Sequence, residues 1–192
     1  MGLTRQQLSQ RVDLTDDFRS DPTVRTGSAA LADYKRSGFN RGHLAPATSM
    51  AWSETIMSES FFLSNVSPQL PGFNQGIWRK LEEAVRKESY QHEKLVVITG
   101  PLWEPNFPTI GPNRVSVPKA YFKVLLDITN PSIEGIAFLL ENKPSTKPLI
   151  TFAYTIDSLE SIIDIDFFAN LSDEVEDEVE QSFNLSNWQS IP

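Results

Sequence analysis

Two kinds of hydrophobic pattern alternate along the chain and predict strands mixed with helices. Short apolar runs predict a buried strand over Phe61 to Val66 and a central strand over Leu95 to Ile98. Two further strands are predicted over Tyr121 to Ile128 and Gly135 to Leu140, joined by a turn at Thr129-Asn130-Pro131-Ser132. These runs supply most of a sheet.

Other segments carry apolar residues at helical spacing. A helix from Gln75 to about Lys87 has one buried stripe, in which Trp78 packs in the core. Ser53 is a predicted N-cap for a helix over Glu54 to Ser60. Leu149 to Tyr154 either continues the sheet or leads into a helical segment.

The remaining segments are less regular. Leu3 to Leu14 predicts a short helix or an irregular lead-in, and Asp173 to Phe183 an acidic helix or a mobile segment. Pro101 to Pro118 contains five prolines and predicts a long connection. The whole pattern predicts one α+β domain over residues 1–192, in which helices flank a mixed or antiparallel sheet, with an acidic C-terminal helix or tail over about 172–192.

Composition excludes several classes of protein. A chain of 192 residues that is 40% apolar can bury one substantial core. No apolar run approaches the roughly 18 residues that a membrane span needs, so a soluble protein is expected, with its compartment left open. The absence of cysteine removes disulfides, thiolate catalysis and Cys-based zinc sites together.

The net charge of −8 is unusual for a protein that binds nucleic acid, but the charge is unevenly distributed. All 17 basic residues lie at or before Lys147, where they accompany 15 acidic residues. The last 45 residues hold 10 acids and no base. We expect a solvated acidic helix turned away from the substrate, with a partner-binding or autoinhibitory tail as the alternative.

His43 is one of only two histidines and is the first candidate for acid–base chemistry. Arg41 and Gly42 precede it, so a titratable imidazole, a fixed cation and a residue that allows close backbone approach occupy three positions. Such a group suits a phosphate. On these residues alone, a hydrogen-bonded loop histidine remains an alternative.

Three ordered motifs resolve this ambiguity. The chain reads Asn40-Arg41-Gly42-His43, then Asn65 to Gln69 with Pro68-Gln69 at its end, and then Asn74, Trp78 and Glu82 at intervals of four. These motifs, in this order, resemble the DNA/RNA non-specific endonuclease family, whose site is of the ββα-metal type. In such sites the histidine ends one strand, and the metal ligand begins the helix after the second strand.

The resemblance implies a sequence-independent nuclease that hydrolyses phosphodiester bonds of DNA and RNA and leaves 5′-phosphate ends. His43 would be the general base and Asn74 the metal ligand. The other implied site residues contact phosphate or support the metal's water shell: Arg41, Arg19 and Arg86 for phosphate, Glu82 and Asn65 for the water shell, and Asn40 beside the histidine. The resemblance also allows a homodimer and a protein inhibitor as partners.

The metal can be discussed from the residues as well. Two histidines and no cysteine cannot supply three or four soft ligands for zinc or nickel unless carboxylates replace them. Mg²⁺ often accepts only one or two protein oxygens, so one amide oxygen at the start of a helix suffices. We therefore expect Mg²⁺, with Mn²⁺ as an alternative.

Several features leave alternatives open. Asn40 replaces the family's usual Asp, which puts metal affinity and pH optimum in doubt more than activity. Arg19 can also be a surface arginine in an Asp-rich turn, and Glu82 with Arg86 an ordinary helical ion pair. A homologue that keeps the fold but has lost turnover is the alternative function. The start at Met1-Gly2 lacks an apolar signal segment and suggests a truncated or engineered end.

Overall fold

Nine strands and six helices form in the residues that the computed structural model describes, which are 1–9, 11–13, 15–102, 104–129 and 133–191. The strands are β1 (Gly2–Thr4), β2 (Asn40–His43), β3 (Val66–Gln69), β4 (Lys94–Pro101), β5 (Thr109–Ile110), β6 (Val115–Ser116), β7 (Ala120–Asp127), β8 (Glu134–Glu141) and β9 (Ala153–Tyr154). The helices are α1 (Arg5–Ser9), α2 (Leu31–Tyr34), α3 (Glu54–Ser60), α4 (Arg79–Gln91), α5 (Ile156–Ile163) and α6 (Asp173–Glu180). A π-helical turn, Phe73–Trp78, precedes α4.

The main sheet has the order β1-β4-β7-β8-β9, and every neighbouring pair in it is antiparallel. The central strand β7 pairs with β4 from Asp127 opposite Leu95 to Tyr121 opposite Pro101. All eight residues of β7 are buried, as expected for a strand covered on both faces. The α+β class and the antiparallel alternative of the predicted sheet are therefore confirmed.

Helix α4 and the π-helical turn cover one face of this sheet. Trp78 and Leu81 are fully buried and pack with Tyr121 and Leu125, which alternate along β7. The predicted core position of Trp78 is confirmed. Near the C-terminus, Trp188 joins the same cluster at 1% exposure.

The acidic helix α6 lies on the other face, with α5. Phe122 and Val124 of β7 point to this side and pack with Ile156 of α5. A Cβ atom on Gly135 of β8 would lie 2.4 Å from Ile156 and 2.9 Å from the carbonyl oxygen of Val179, so this glycine lets both helices approach the strand. The sheet thus separates α6 from α4.

A separate two-stranded sheet, β2 with β3, leads into the π-helical turn and α4. His43, the last residue of β2, pairs with Val66, and Asn74 lies in the first turn after β3. This is the expected order of a ββα site.

Some local predictions are wrong. Phe61 to Val66 is not a strand, because Phe62 makes only one isolated bridge to Arg19 and a 3₁₀ turn occupies Leu63–Asn65 before β3 begins. The helix predicted from Gln75 is interrupted, because Gly76 (φ −102°, ψ −111°), inside the π-helical turn, has a non-helical backbone.

Other predictions differ in detail. The lead-in contains a strand as well as a helix, β1 and α1, while Leu14 lies outside the described residues. The Pro-rich connection contains the β5–β6 hairpin. The predicted turn after Thr129 also falls largely outside the described residues. Helix α3 begins after Ser53 as predicted. Among the described residues, no helix is long and apolar enough to cross a bilayer.

Candidate active site

The β2–β3 pair fixes the position of His43. Gly42 lies opposite Ser67, and a Cβ atom there would come within 2.1 Å of the side chain of Gln69, which is fully buried. Glycine is therefore required between Arg41 and His43. In the sequence Arg41-Gly42-His43, the two predicted site residues therefore flank a close packing contact.

Two phenylalanines hold the His43 ring. The ring centroids of Phe18 and Phe61 lie 5.2 and 4.9 Å from that of His43, and Phe61 meets it edge-on at 89°. The Nε2 atom is buried without a hydrogen-bond partner among the described residues. Burial, reinforced by the charge of Arg41, lowers the pKa of His43 to about 4, although Asp16 acts in the opposite direction. The imidazole is therefore neutral at pH 7.

His43 shares a cavity of about 380 Å³ with residues from the π-helical turn and α4. Asn74, Glu82 and Arg86 line it, so the structure brings together four of the predicted site residues. The guanidinium of Arg86 donates a hydrogen bond of 3.4 Å to Thr48 Oγ1 at its edge.

Asn74 connects this cavity to a second one. The neighbouring cavity, about 580 Å³, is lined by Asn40, Arg41 and Asn74 among others. The Arg41 guanidinium stacks 4.0 Å above the ring of Phe18 and lies 4.0 Å from Asp16 Oδ1. Arg41 and Arg86 thus line different cavities, and Asn74 lines both.

The carboxyl group of Glu82 is half-buried, and its burial raises its pKa to about 7. The charges of Lys123 and Arg86 act in the opposite direction. Glu82 therefore titrates near neutral pH, which is characteristic of functional carboxyl groups.

Lys123 is the residue that sequence reasoning missed. It lies in β7 at 1% exposure, and its Nζ donates a hydrogen bond of 2.6 Å to Thr99 Oγ1 and lies 4.9 Å from the ring centroid of Trp78. Burial lowers its pKa to about 8, against the opposing effect of Glu82. The two-residue alternation of β7 places Lys123 on the same face as Tyr121, and that pattern was readable in the sequence.

Two predicted residues have other roles here. The guanidinium of Arg19 donates hydrogen bonds to both side chain and backbone of Ser58 at 2.9 Å and pairs with Asp17 at 2.6 Å. Arg19 does not line either cavity described above. Its predicted phosphate contact is not supported by this geometry, because its donors are directed at Ser58 and Asp17.

The side chain of Asn65 holds the loop that follows His43. Its Oδ1 accepts a hydrogen bond from the backbone N–H of Ala45, and its Nδ2 donates to the carbonyl oxygens of Ala45 and Ser60. Both amide hydrogens are thus used within the protein. Asn65 supports the site by fixing this loop, and the predicted role in the metal's water shell is not supported.

The second histidine belongs to the core at the far end of α4. His92 Nδ1 lies 2.6 Å from Asp127 Oδ2, and its Nε2 lies 3.3 Å from Glu88 Oε2. The hydrogen bond with Glu88 is the largest cause of its raised pKa. A larger cavity of about 590 Å³, lined in part by Lys119, has no histidine in its lining. Of the two histidines, His43 is the one that lines the cavity of about 380 Å³.

The cavity around His43 offers oxygen ligands to a metal ion. The amide of Asn74 and the carboxyl of Glu82 are the hard ligands that Mg²⁺ and Mn²⁺ accept. Glu82 is also a half-buried carboxyl whose pKa falls when a cation lies nearby. The residues present therefore fit a hard divalent ion at the Asn74 side of the cavity.

Comparisons with known proteins agree with this arrangement. The model of the DNA/RNA non-specific endonuclease family matches residues 2–174. Human mitochondrial endonuclease G is 38% identical over 169 residues, which cover 81% of this chain and 57% of that protein. The mitochondrial nuclease 1 of Schizosaccharomyces pombe is 34% identical over 163 residues, covering 74% and 50%. The chain therefore spans about half the length of these relatives.

A solved structure shares the fold. The structure of the EndoG/EndoGI complex, which concerns the mechanism of EndoG inhibition, superposes with a TM-score of 0.82 at 28% sequence identity. The match covers 89% of this chain and 77% of that one.

Proposed function

The chain belongs to the DNA/RNA non-specific endonuclease family, and we propose that it hydrolyses phosphodiester bonds of DNA and RNA at the cavity around His43. The observation that carries the proposal is the convergence of His43, Asn74, Glu82 and Arg86 on one cavity. Residues 1–192 would act as one nuclease domain.

His43 is the general base in this proposal. Its lowered pKa keeps the imidazole neutral, and His43 lines the cavity, so the ring can accept a proton from an attacking water there. An anionic phosphate in the cavity favours the protonated imidazole and raises that pKa toward neutral pH. The base therefore gains strength when substrate is bound.

Asn74 would hold Mg²⁺, or Mn²⁺, through its amide oxygen, and Glu82 would hold the ion's water ligands. When bound, the ion supplies positive charge that stabilises the phosphoryl and leaving-group oxygens. Cleavage of the P–O3′ bond, which leaves 5′-phosphate ends, is the outcome that family membership favours.

Arg41 and Arg86 would bind the phosphate backbone at the two cavities that Asn74 lines. Contacts to phosphate carry no base sequence, which supports a substrate range that includes both DNA and RNA. Asn40 lines the Arg41 cavity and retains an acceptor oxygen without the negative charge of the usual Asp.

The proposal extends to protein partners. The structural neighbour was solved as a complex concerned with EndoG inhibition, which supports a protein inhibitor for this chain as well. A homodimer rests on family membership alone.

A plasmid-nicking assay with and without Mg²⁺ tests the proposal. We expect Mg²⁺-dependent nicking by the wild type and by His92→Gln, which alters the only other histidine, and none by His43→Ala. Nicking that persists in EDTA, or that survives His43→Ala, contradicts the mechanism. A wild type that binds DNA but never cleaves it would indicate a homologue without turnover.

A further inference from the structure

A second group of converging polar side chains lies away from the cavity around His43. The carboxylates of Asp157, Glu160 and Glu180 each present an oxygen within 4.8 Å of the others. Asp157 and Glu160 belong to α5, and Glu180 is the last residue of α6. The group therefore joins the two helices that cover the sheet face opposite α4.

The positions of the α5 ligands are fixed by local structure. Thr155 caps the N-terminus of α5 by accepting a hydrogen bond from the backbone N–H of Ser158. Asp157 and Glu160, three residues apart, lie on one side of the helix. Glu160 Oε1 also accepts a hydrogen bond of 2.7 Å from the backbone N–H of Phe167, which restrains its carboxylate.

Glu180 provides independent evidence for a ligand. It is only 5% exposed, and its Oε1 is buried without a hydrogen-bond partner among the described residues. A buried carboxylate without a partner is costly, so such groups are normally paired, protonated or bound to a metal. Oε1 of nearby Glu176 is buried and without a partner in the same part of the chain.

Among the described residues, the charged neighbours that act on Glu180 include no cation. The charged residues that act on Glu180 are Glu160, Glu176, Asp157 and Asp166, all of them acidic. No lysine or arginine occurs after Lys147 in the sequence. An external cation is the remaining way to keep this group ionised.

We propose that Asp157, Glu160 and Glu180 bind a divalent cation, with Ca²⁺ as the preferred ion. Ions with metal–oxygen distances of about 2.3–2.6 Å can be shared by oxygens up to about 5 Å apart, so all three can bind one ion. Three carboxylates around one ion favour Ca²⁺, because Mg²⁺ keeps most of its waters and usually accepts one or two carboxylates.

The bound cation stabilises the folded protein and has no part in catalysis, which takes place at the cavity on the other face of the sheet. The ion links the end of α6 to α5 and neutralises the repulsion among their carboxylates. Because the ion binds the folded chain and not the separated helices, the cation raises the stability of the folded state.

Calorimetric titration of the chelator-treated full chain with Ca²⁺ at pH 7.5, without Mg²⁺, tests the proposal. We expect wild type to bind with an affinity that Glu180→Gln and Asp157→Asn weaken by at least about tenfold. Glu178→Gln is the matched control, because Glu178 is an exposed carboxylate on the same helix and gives the same change of charge. Nuclease activity with Mg²⁺ should be the same in all four proteins.

The cavity around Asn74 is unchanged in these variants, so any Ca²⁺ bound there contributes equally to each. Equal Ca²⁺ binding by wild type, Glu178→Gln and both cluster variants overturns the proposal. So does a Glu180→Gln protein that is more stable than wild type while Ca²⁺ stabilises neither, because Glu180 is then a protonated acid. If Glu180→Gln fails to fold, Asp157→Asn, at a half-buried position, decides alone. Equal affinity for Mg²⁺ and Ca²⁺ overturns the ion preference.

Discussion

Replacing Lys123 by Met is expected to make the protein more stable and less active at neutral pH. A lysine whose pKa is lowered from 10.5 to about 8 in the folded state destabilises that state at every pH below about 8. At pH 7 the cost is on the order of 3 kcal/mol. Met has a similar length and no charge, so it fills the same space at 1% exposure without this cost.

Two favourable contacts are lost at the same time. The hydrogen bond to Thr99 and the contact with the Trp78 ring contribute about 1 kcal/mol each. Thr99 is half-buried, so its hydroxyl can bond to water instead. The cost of burying the charge exceeds the loss of the two contacts, so we expect the free energy of unfolding to rise at pH 7.

The loss of activity follows from Glu82. The charge of Lys123 holds the pKa of Glu82 down, so removing it raises that pKa further above its ordinary value. Each additional unit lowers the ionised fraction of Glu82 at pH 7 by up to about tenfold. Activity of Lys123→Met should therefore fall at pH 7 and recover partly toward pH 9.

Denaturant unfolding and pH–rate profiles check both halves, with Lys119→Met as a control at an exposed lysine. A variant that loses more than about 2 kcal/mol while keeping the wild-type pH profile would refute the reasoning, because Lys123 would then be a packing residue. In a protein that already carries Glu82→Gln, adding Lys123→Met should leave the activity unchanged, because the effect of Lys123 acts through the Glu82 carboxyl group.

The remaining predictions address the other charged groups. His43→Ala should reduce turnover by about 10²- to 10⁴-fold without changing the unfolding transition, and wild-type rates would contradict a general base. Asn74→Ala should raise the Mg²⁺ concentration needed for half-maximal activity and lower turnover with it, as measured in a metal titration. Arg86→Ala should slow cleavage of DNA and RNA alike by roughly 10- to 100-fold. Neutralising the exposed carboxylates of α6 should change the cleavage rate little. A gain of activity in the α6 variant, largest at low salt, would contradict the position of α6 on the sheet face away from the cavity. For His92, whose folded pKa is raised, stabilisation relative to His92→Gln should be complete below about pH 6.5 and decline as pH rises through the folded pKa, which pH-dependent unfolding measures.

The sequence predicted the regular parts of the fold and missed the irregular ones for a definable reason. Hydrophobic pattern reports burial, and in β7 and β8 burial and strand pairing coincide, so their bounds shift by only a residue or so at each end. At Phe61 and Leu63, burial and strand pairing do not coincide. Both side chains are buried, but the backbone forms a turn there and pairing starts at Val66.

The candidate site likewise has features that the sequence predicted and features that it did not. The motif spacing located His43, Asn74, Glu82 and Arg86, which the structure then places on one cavity. It did not reveal that the donors of Arg19 are already engaged, because hydrogen bonds to Ser58 join residues 39 positions apart. Lys123 lies 41 positions from Glu82, and only the packing of β7 against α4 brings their charges into interaction.

The uneven charge of the chain becomes intelligible once the sheet is in place. Arg41 and Arg86 lie on the side of the ββα unit and α4, and the carboxylates of α6 lie across the sheet. Each packed layer adds about 10 Å, so roughly 20 Å separate the two helical layers. The Debye length is about 8 Å at physiological salt, so the acidic face contributes little repulsion to a nucleic acid at the cavity. The net charge of the whole chain is therefore a poor guide to how well the protein binds phosphate. The electrostatic potential at the cavity is set by the charged residues on its own side of the sheet.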